Sequence, residues 1–303
     1  MMSNSFITID QKKSAYDYAQ AKTLNNVLDT LKAIQSKNPD FTYFRGQSNG
    51  SWKITSFLQR KWIQNNLGKT FSSYQDLIRK LLDFAKKNHS SCLTKYDANM
   101  TDCGILSTLQ HFGAPTPFVD WSSDFNVSLY MATSSSIDAN ESPIETENYI
   151  SIYWLEVGRG PETPNNDLTD IGMALKEFAG NEAIEDSEII KSVIDKFRNM
   201  TSWEQLYWFF SDKYFPLVNI NNPRQELQKG GFFYSSEFDK TLDEIFDDND
   251  LPKIHCLDIS KALVPEIQEY VKNLNINEKT LGLNTCDSGK MLFEYFLEHY
   301  HHV

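Results

Sequence analysis

The stretch DFTYFRGQSNGSWKITSFLQR, residues 40–60, runs through aromatic and β-branched residues and then sets Arg45, Gly46 and Gln47 in a row. A guanidinium beside an apolar run is costly unless its charge meets a partner. Two partners stand open: a carboxylate of the same chain, or an anionic ligand. Residue type alone favours the carboxylate, with Gly46 as a turn residue. In the ligand alternative, Arg45 at the end of a rigid strand binds phosphate bidentately, and Gly46 lets the ligand approach the backbone.

A second stretch, LSTLQHFGAPTPFVDWSSDFNVSLYMA at 106–132, places His111 at a helix end before a Gly-Ala-Pro-Thr-Pro turn and a strand ending in Asp120-Trp121-Ser122-Ser123. Asp120 has the chemistry of a base or an orienting carboxylate, and Trp121 that of a platform for an aromatic ligand. Each also has a plain structural role: His111 at a helix dipole, Trp121 in the core, Ser122 or Ser123 as a helix cap. In the third stretch, NNPRQELQKGGFFY at 221–234, Glu226 and Gln228 share one side if the segment is extended, with Arg224 nearby. A hairpin turn with solvated polar residues is the competing account.

Familiar catalytic signatures are missing: there is no Gly-x-Ser-x-Gly elbow, Walker loop, Gly-x-Gly-x-x-Gly or His-Glu-x-x-His. DDND at 247–250 lacks the glycine and closing glutamate of a calcium loop, and the tail histidines His299, His301 and His302 read as a frayed terminus, so no metal is expected. The net charge of -12 argues against non-specific binding to nucleic acid or anionic membrane, although one or two local arginines suffice for a small anion. Four scattered cysteines without Cys-x-x-Cys, and no apolar stretch that reads as a signal peptide or membrane span, lead to the expectation of a cytoplasmic protein.

The elements that must position these residues follow from periodicity. Leu24, Val27, Leu28, Leu31 and Ile34 predict a helix after Thr23. Ser72 or Ser73 caps a second, with a basic end at Lys86-Lys87, and Asp102 caps a third over CGILSTLQHF. NYISIYWLEV at 148–157 is the clearest strand. Helices are expected in the middle, about 165–213; strands return at PLVNI, FFYSS and KIHCLDI; Ser260 caps KALVPEIQEYVKNL, and GKMLFEYFLEHY closes the chain. Helices mixed with non-adjacent strands favour α+β over a doubly wound sheet.

Four segments together, YFRGQSNGSWKITSFLQR, LSTLQHFGAPTPFVDWSSDFNVSLYMA, NNPRQELQKGGFF and INEKTLGLNTCDSGKMLF, resemble the FRG domain, a bacterial family named for its Arg-Gly signature. The resemblance implies an N-terminal helical lead-in at 1–39 and an FRG domain over 40–303 carrying a helical insertion at about 165–213. The family's layout is in turn similar to ADP-ribosyltransferases, which implies a bent or split, mostly antiparallel sheet flanked by helices, and NAD as substrate. By that likeness Arg45 holds the phosphates, Asp120 to Ser123 line the nicotinamide pocket, and Glu226 or Gln228 takes the acidic role. Gly46, Gln47, Arg60 and His111 are further candidates for ligand binding, as are Thr116, Trp121, Ser122 and Arg224. Many such transferases carry Glu where this chain has Gln228, and an amide cannot supply negative charge to an oxocarbenium-like state. The implied role is an NAD-using effector in phage defence or a toxin system; the alternative is a non-catalytic module that senses a phosphorylated small molecule.

Overall fold

The structure, a computed structural model, describes residues 5–37, 42–93, 102–135, 141–156, 217–218, 227–234, 237–248, 254–283 and 288–301. The N-terminal part carries α1 (Ile9–Ala15), β1 (Asp17–Ala21), α2 (Leu24–Lys37), β2 (Thr42–Gln47), α3 (Phe57–Gln64) and α4 (Tyr74–Leu93). Then come α5 (Asp102–His111), β3 (Phe118–Ser122), α6 (Phe125–Thr133), β4 (Tyr149–Glu156) and β5 (Leu217–Val218). The C-terminal part carries β6 (Gly230–Tyr234), α7 (Leu242–Asp248), β7 (His255–Ser260), α8 (Val264–Asn273) and α9 (Ser288–His301). The fold is α+β, as the spacing of elements predicted.

One mixed sheet runs β1-β7-β4-β2-β3-β6-β5. β1 lies parallel to β7, while every other neighbouring pair is antiparallel. The stretch expected as a helical lead-in, 1–39, also carries β1, which is hydrogen-bonded into the sheet edge through Asp17 to Ala21. The expected insertion at 165–213, with Arg224 and Glu226, lies outside the described residues.

The sheet is split in the middle. β2 matches β4 at six positions and β3 matches β6 at five, but β2 and β3 meet at the single pair Phe44–Ser122. Alternation along the strands distributes the core on the two faces. Phe44, Ile150, Ile152, Trp154, Leu257 and Ile259 pack under α2, α6 and α8. Phe118 and Phe232, stacked at 5.0 Å, enter a second cluster with α3, α4, α5 and α9. On the opposite face Val119, Trp121, Tyr153 and Phe233 join Tyr16, Ile54, Leu242 and Phe246.

Local chemistry explains the helix starts. Thr8 with Gln11 and Ser56 with Gln59 form reciprocal capping boxes at α1 and α3. Ser73 Oγ accepts from the Asp76 N–H at the head of α4, which settles the choice between Ser72 and Ser73. Two expectations are corrected. α4 runs past Lys86-Lys87 to Leu93, with a kink at His89, and Lys86 turns its charge to Asp102 at 2.5 Å and not to its own helix end. The cap of α6 is Asp124, whose carboxylate accepts from the Asn126 N–H, and not Ser123.

Candidate functional site

Arg45 stands at the split. It is the register partner of Tyr153 on β4, and its Nη1 donates to the main-chain carbonyl of Asp120 at 2.6 Å. The side chain thus spans the gap where the β2–β3 ladder stops. Its Nε lies fully buried without a partner. Among the described residues Arg45 makes no ion pair, so the carboxylate partner that residue type favoured is not the one it has. Burial holds the guanidinium below the usual arginine value, opposed by Asp120 and then Tyr153.

Arg60, from α3, is the second cation here. Its Nη1 donates to the Thr55 carbonyl at 2.8 Å and to the Thr55 hydroxyl at 3.3 Å. Burial and then the like charge of Arg45 push it down to about 10, against the pull of Asp120 and Tyr74. Arg60 therefore stays charged at neutral pH, in the field of Arg45.

Asp120 is exposed on the Phe118 face of β3. Its Oδ1 accepts from Gln110 Nε2 at 2.5 Å, and Gln110 Oε1 accepts in turn from the Thr116 hydroxyl. That chain fixes which way the Gln110 amide points. Sequence reasoning passed over Gln110 for its neighbour His111. The available signal was a polar residue next to a helix end, ahead of a Pro-bounded return strand. His111 itself ends α5 with its ring edge-on to Phe112, 4.8 Å between centroids.

The other candidates are placed as follows. Trp121 is 3 % exposed, 5.4 Å from the Phe233 ring, and its indole N–H is buried without a partner. It is a core wall with no free face for ring stacking. Ser122 Oγ donates to the Gln228 carbonyl at 2.7 Å and accepts from the Asp124 N–H, which closes the end of β3. Gln228 lies in a turn beside Lys229 at φ 47° and not on an extended strand. Its amide donates to the Leu281 carbonyl at 3.0 Å, so Arg45, Arg60 and Asp120 form one group while the Gln228 amide is engaged elsewhere. Gln47 is buried, and its Oε1 has no partner.

Gly46 also has a different reason from the one expected. A Cβ there would run into the Ser128 carbonyl oxygen and lie 2.8 Å from the Ala132 nitrogen, so the glycine admits the backbone of α6 and not a ligand. Gly46→Ala is expected to cost about 1–3 kcal/mol, read from urea unfolding, because α6 must move off β2. A stability equal to wild type would return Gly46 to the ligand reading.

Among the described residues no three His, Cys, Asp or Glu side chains come together as a metal site, and no helix is long and apolar enough to cross a membrane. No curated protein and no solved structure matches the chain. The segment from residue 40 to 141 does match a family model, and it holds β2, α3, β3 and every member of the Arg45–Arg60–Gln110–Asp120 group. The later Arg224 and Gly289 segments lie beyond the match. The description of that family is the FRG domain, and its model matches this chain over residues 40–141.

Proposed function

We propose that the split between β2 and β3 binds the phosphates of a nucleotide, with NAD as the ligand and ADP-ribosyl transfer or NAD hydrolysis as the reaction. The observation that carries the reading is Arg45: a guanidinium with a buried Nε lacking a partner, no ion pair among the described residues, and a second arginine in its field. A guanidinium that feels a second one is stabilised by an anion shared with it, and bidentate phosphate is the chemistry that guanidinium geometry suits. In the reaction, the bond between nicotinamide and ribose C1′ breaks through an oxocarbenium-like state. Water or an acceptor hydroxyl then forms the new C1′–O bond and gives up its proton. The carboxylate opposite the developing cation would be Asp120, held by Gln110. The resemblance also supports a role in phage defence or a toxin system, the scattered cysteines support a cytoplasmic setting, and the net charge of -12 weighs against nucleic-acid and anionic-membrane partners.

A second reading, recognition without turnover, is favoured by one specific contact: the Gln228 amide is tied to the Leu281 carbonyl and brings no charge to the split. Thermal unfolding with ADP-ribose, together with nicotinamide release from NAD, tests both. Saturating ADP-ribose at a hundredfold its Kd should stabilise the protein by about 2.7 kcal/mol. Nicotinamide release that Asp120→Asn removes supports the transferase; a thermal shift with no release supports the sensor; neither signal defeats both.

A further inference from the structure

Buried polar atoms without hydrogen-bond partners are few in a native protein, and each asks for an explanation. Three of them gather on one face of this sheet. Arg45 Nε and Gln47 Oε1 stand two residues apart on β2, and so on the same side of the strand. Trp121 Nε1 belongs to the neighbouring strand β3. The antiparallel pair Phe44–Ser122 sets Trp121, one residue before Ser122, beside Arg45, one residue after Phe44. Tyr153, the register partner of Arg45, and Trp121 both join the core cluster of that face. Gln47 is 6 % exposed and Trp121 is 3 % exposed, so bulk water does not satisfy either.

The inventory is two N–H donors and one carbonyl-type acceptor on one face of two neighbouring strands. A phosphate or carboxylate satisfies the donors and leaves the Gln47 oxygen facing another oxygen. A group that accepts on one edge and donates an N–H on the other satisfies all three. We infer that this face of β2 recognises the uncharged carboxamide of the ligand next to its phosphates, with Gln47 Oε1 accepting from the amide N–H and the N–H groups of Arg45 and Trp121 donating to the amide oxygen. The inference rests on the dinucleotide reading above and adds its specificity: amide over acid. Gln47 is a specificity residue here. The carboxylate analogue loses because a buried acceptor is left against a negative oxygen.

Calorimetric titration of the full chain with ADP-ribose, NAD and the deamidated dinucleotide, which carries nicotinic acid in place of nicotinamide, separates this inference from the reading beneath it. Wild type should bind NAD about tenfold more tightly than the deamidated form. Gln47→Met keeps the volume without the acceptor, and should narrow that ratio to about twofold while leaving ADP-ribose affinity unchanged. Trp121→Phe removes one donor without a charge and should weaken NAD but not ADP-ribose. If Gln47→Met fails to fold, the wild-type preference and Trp121→Phe still decide. Binding of ADP-ribose with equal affinity for the two dinucleotides overturns the carboxamide assignment and spares the phosphate site. No binding of ADP-ribose overturns the phosphate reading, and the inference falls with it.

Discussion

Arg45→Lys is expected to lower ADP-ribose affinity by about a hundredfold while the unfolding midpoint stays within a few degrees of wild type. Lysine keeps the positive charge and most of the length, and its ammonium can still donate to the Asp120 carbonyl that Arg45 holds at 2.6 Å. It cannot supply a planar fork to phosphate oxygens. Two charge-assisted hydrogen bonds at about 1.5 kcal/mol each account for the loss. Arg45→Ala removes the charge as well and leaves the Asp120 carbonyl unanswered, so it should add a stability cost of about 1–2 kcal/mol. Arg60→Lys should weaken binding less, because Arg60 already spends Nη1 on Thr55. Calorimetry on the three variants checks the order. If Arg45→Lys binds as wild type does, the guanidinium is only a brace across the split and the site lies elsewhere.

That brace shows where reading the sequence works and where it stops. Periodicity and capping chemistry are local, and they located α4 with its cap at Ser72 or Ser73, strand β4, and the Ser260 cap before α8. What sequence cannot carry is the identity of the group across a gap. Gly46 looked like a place for a ligand, and α6 occupies that place. Ser123 looked like a cap, but Asp124 one residue later both caps α6 and reaches Lys229 at 2.8 Å, 105 residues away. Gln228 looked aimed at a substrate, and its amide points to Leu281, which is 53 residues on. Residue type favoured a carboxylate for Arg45, and its actual acceptor, a main-chain carbonyl, leaves no trace in residue types.

Lys12 is the extreme case. In sequence it is one lysine of IDQKKSA; in the fold its side chain is fully buried and its Nζ sits 2.5 Å from Asp258 Oδ1, equally buried. Ser151 completes a closed ring, accepting from Lys12 at 2.8 Å and donating to Asp258 at 2.6 Å, while the Tyr18 hydroxyl donates to the other carboxylate oxygen at 3.0 Å. The ring ties α1, β1, β4 and β7 together. Burial and then Asp258 hold the Tyr18 hydroxyl above its ordinary value, so it stays a donor.

Breaking such a pair from one side leaves an uncompensated charge in the interior, so Lys12→Met or Asp258→Leu should each cost about 3–5 kcal/mol in urea unfolding. The double variant Lys12→Met with Asp258→Leu should cost clearly less than the sum of the two, since the residues act as one unit and an apolar pair of similar volume replaces both charges. Additive losses, or single losses under about 1 kcal/mol, would mean that the contact carries no coupling. The consequence reaches the split. Asp258 is the register partner of Ser151, and Ser151 is the register partner of Gln47, so the ring fixes the row of positions that ends beside Arg45. Loosening it should therefore weaken ligand binding along with stability, whereas Gly46→Ala acts on β2 from the opposite face through α6.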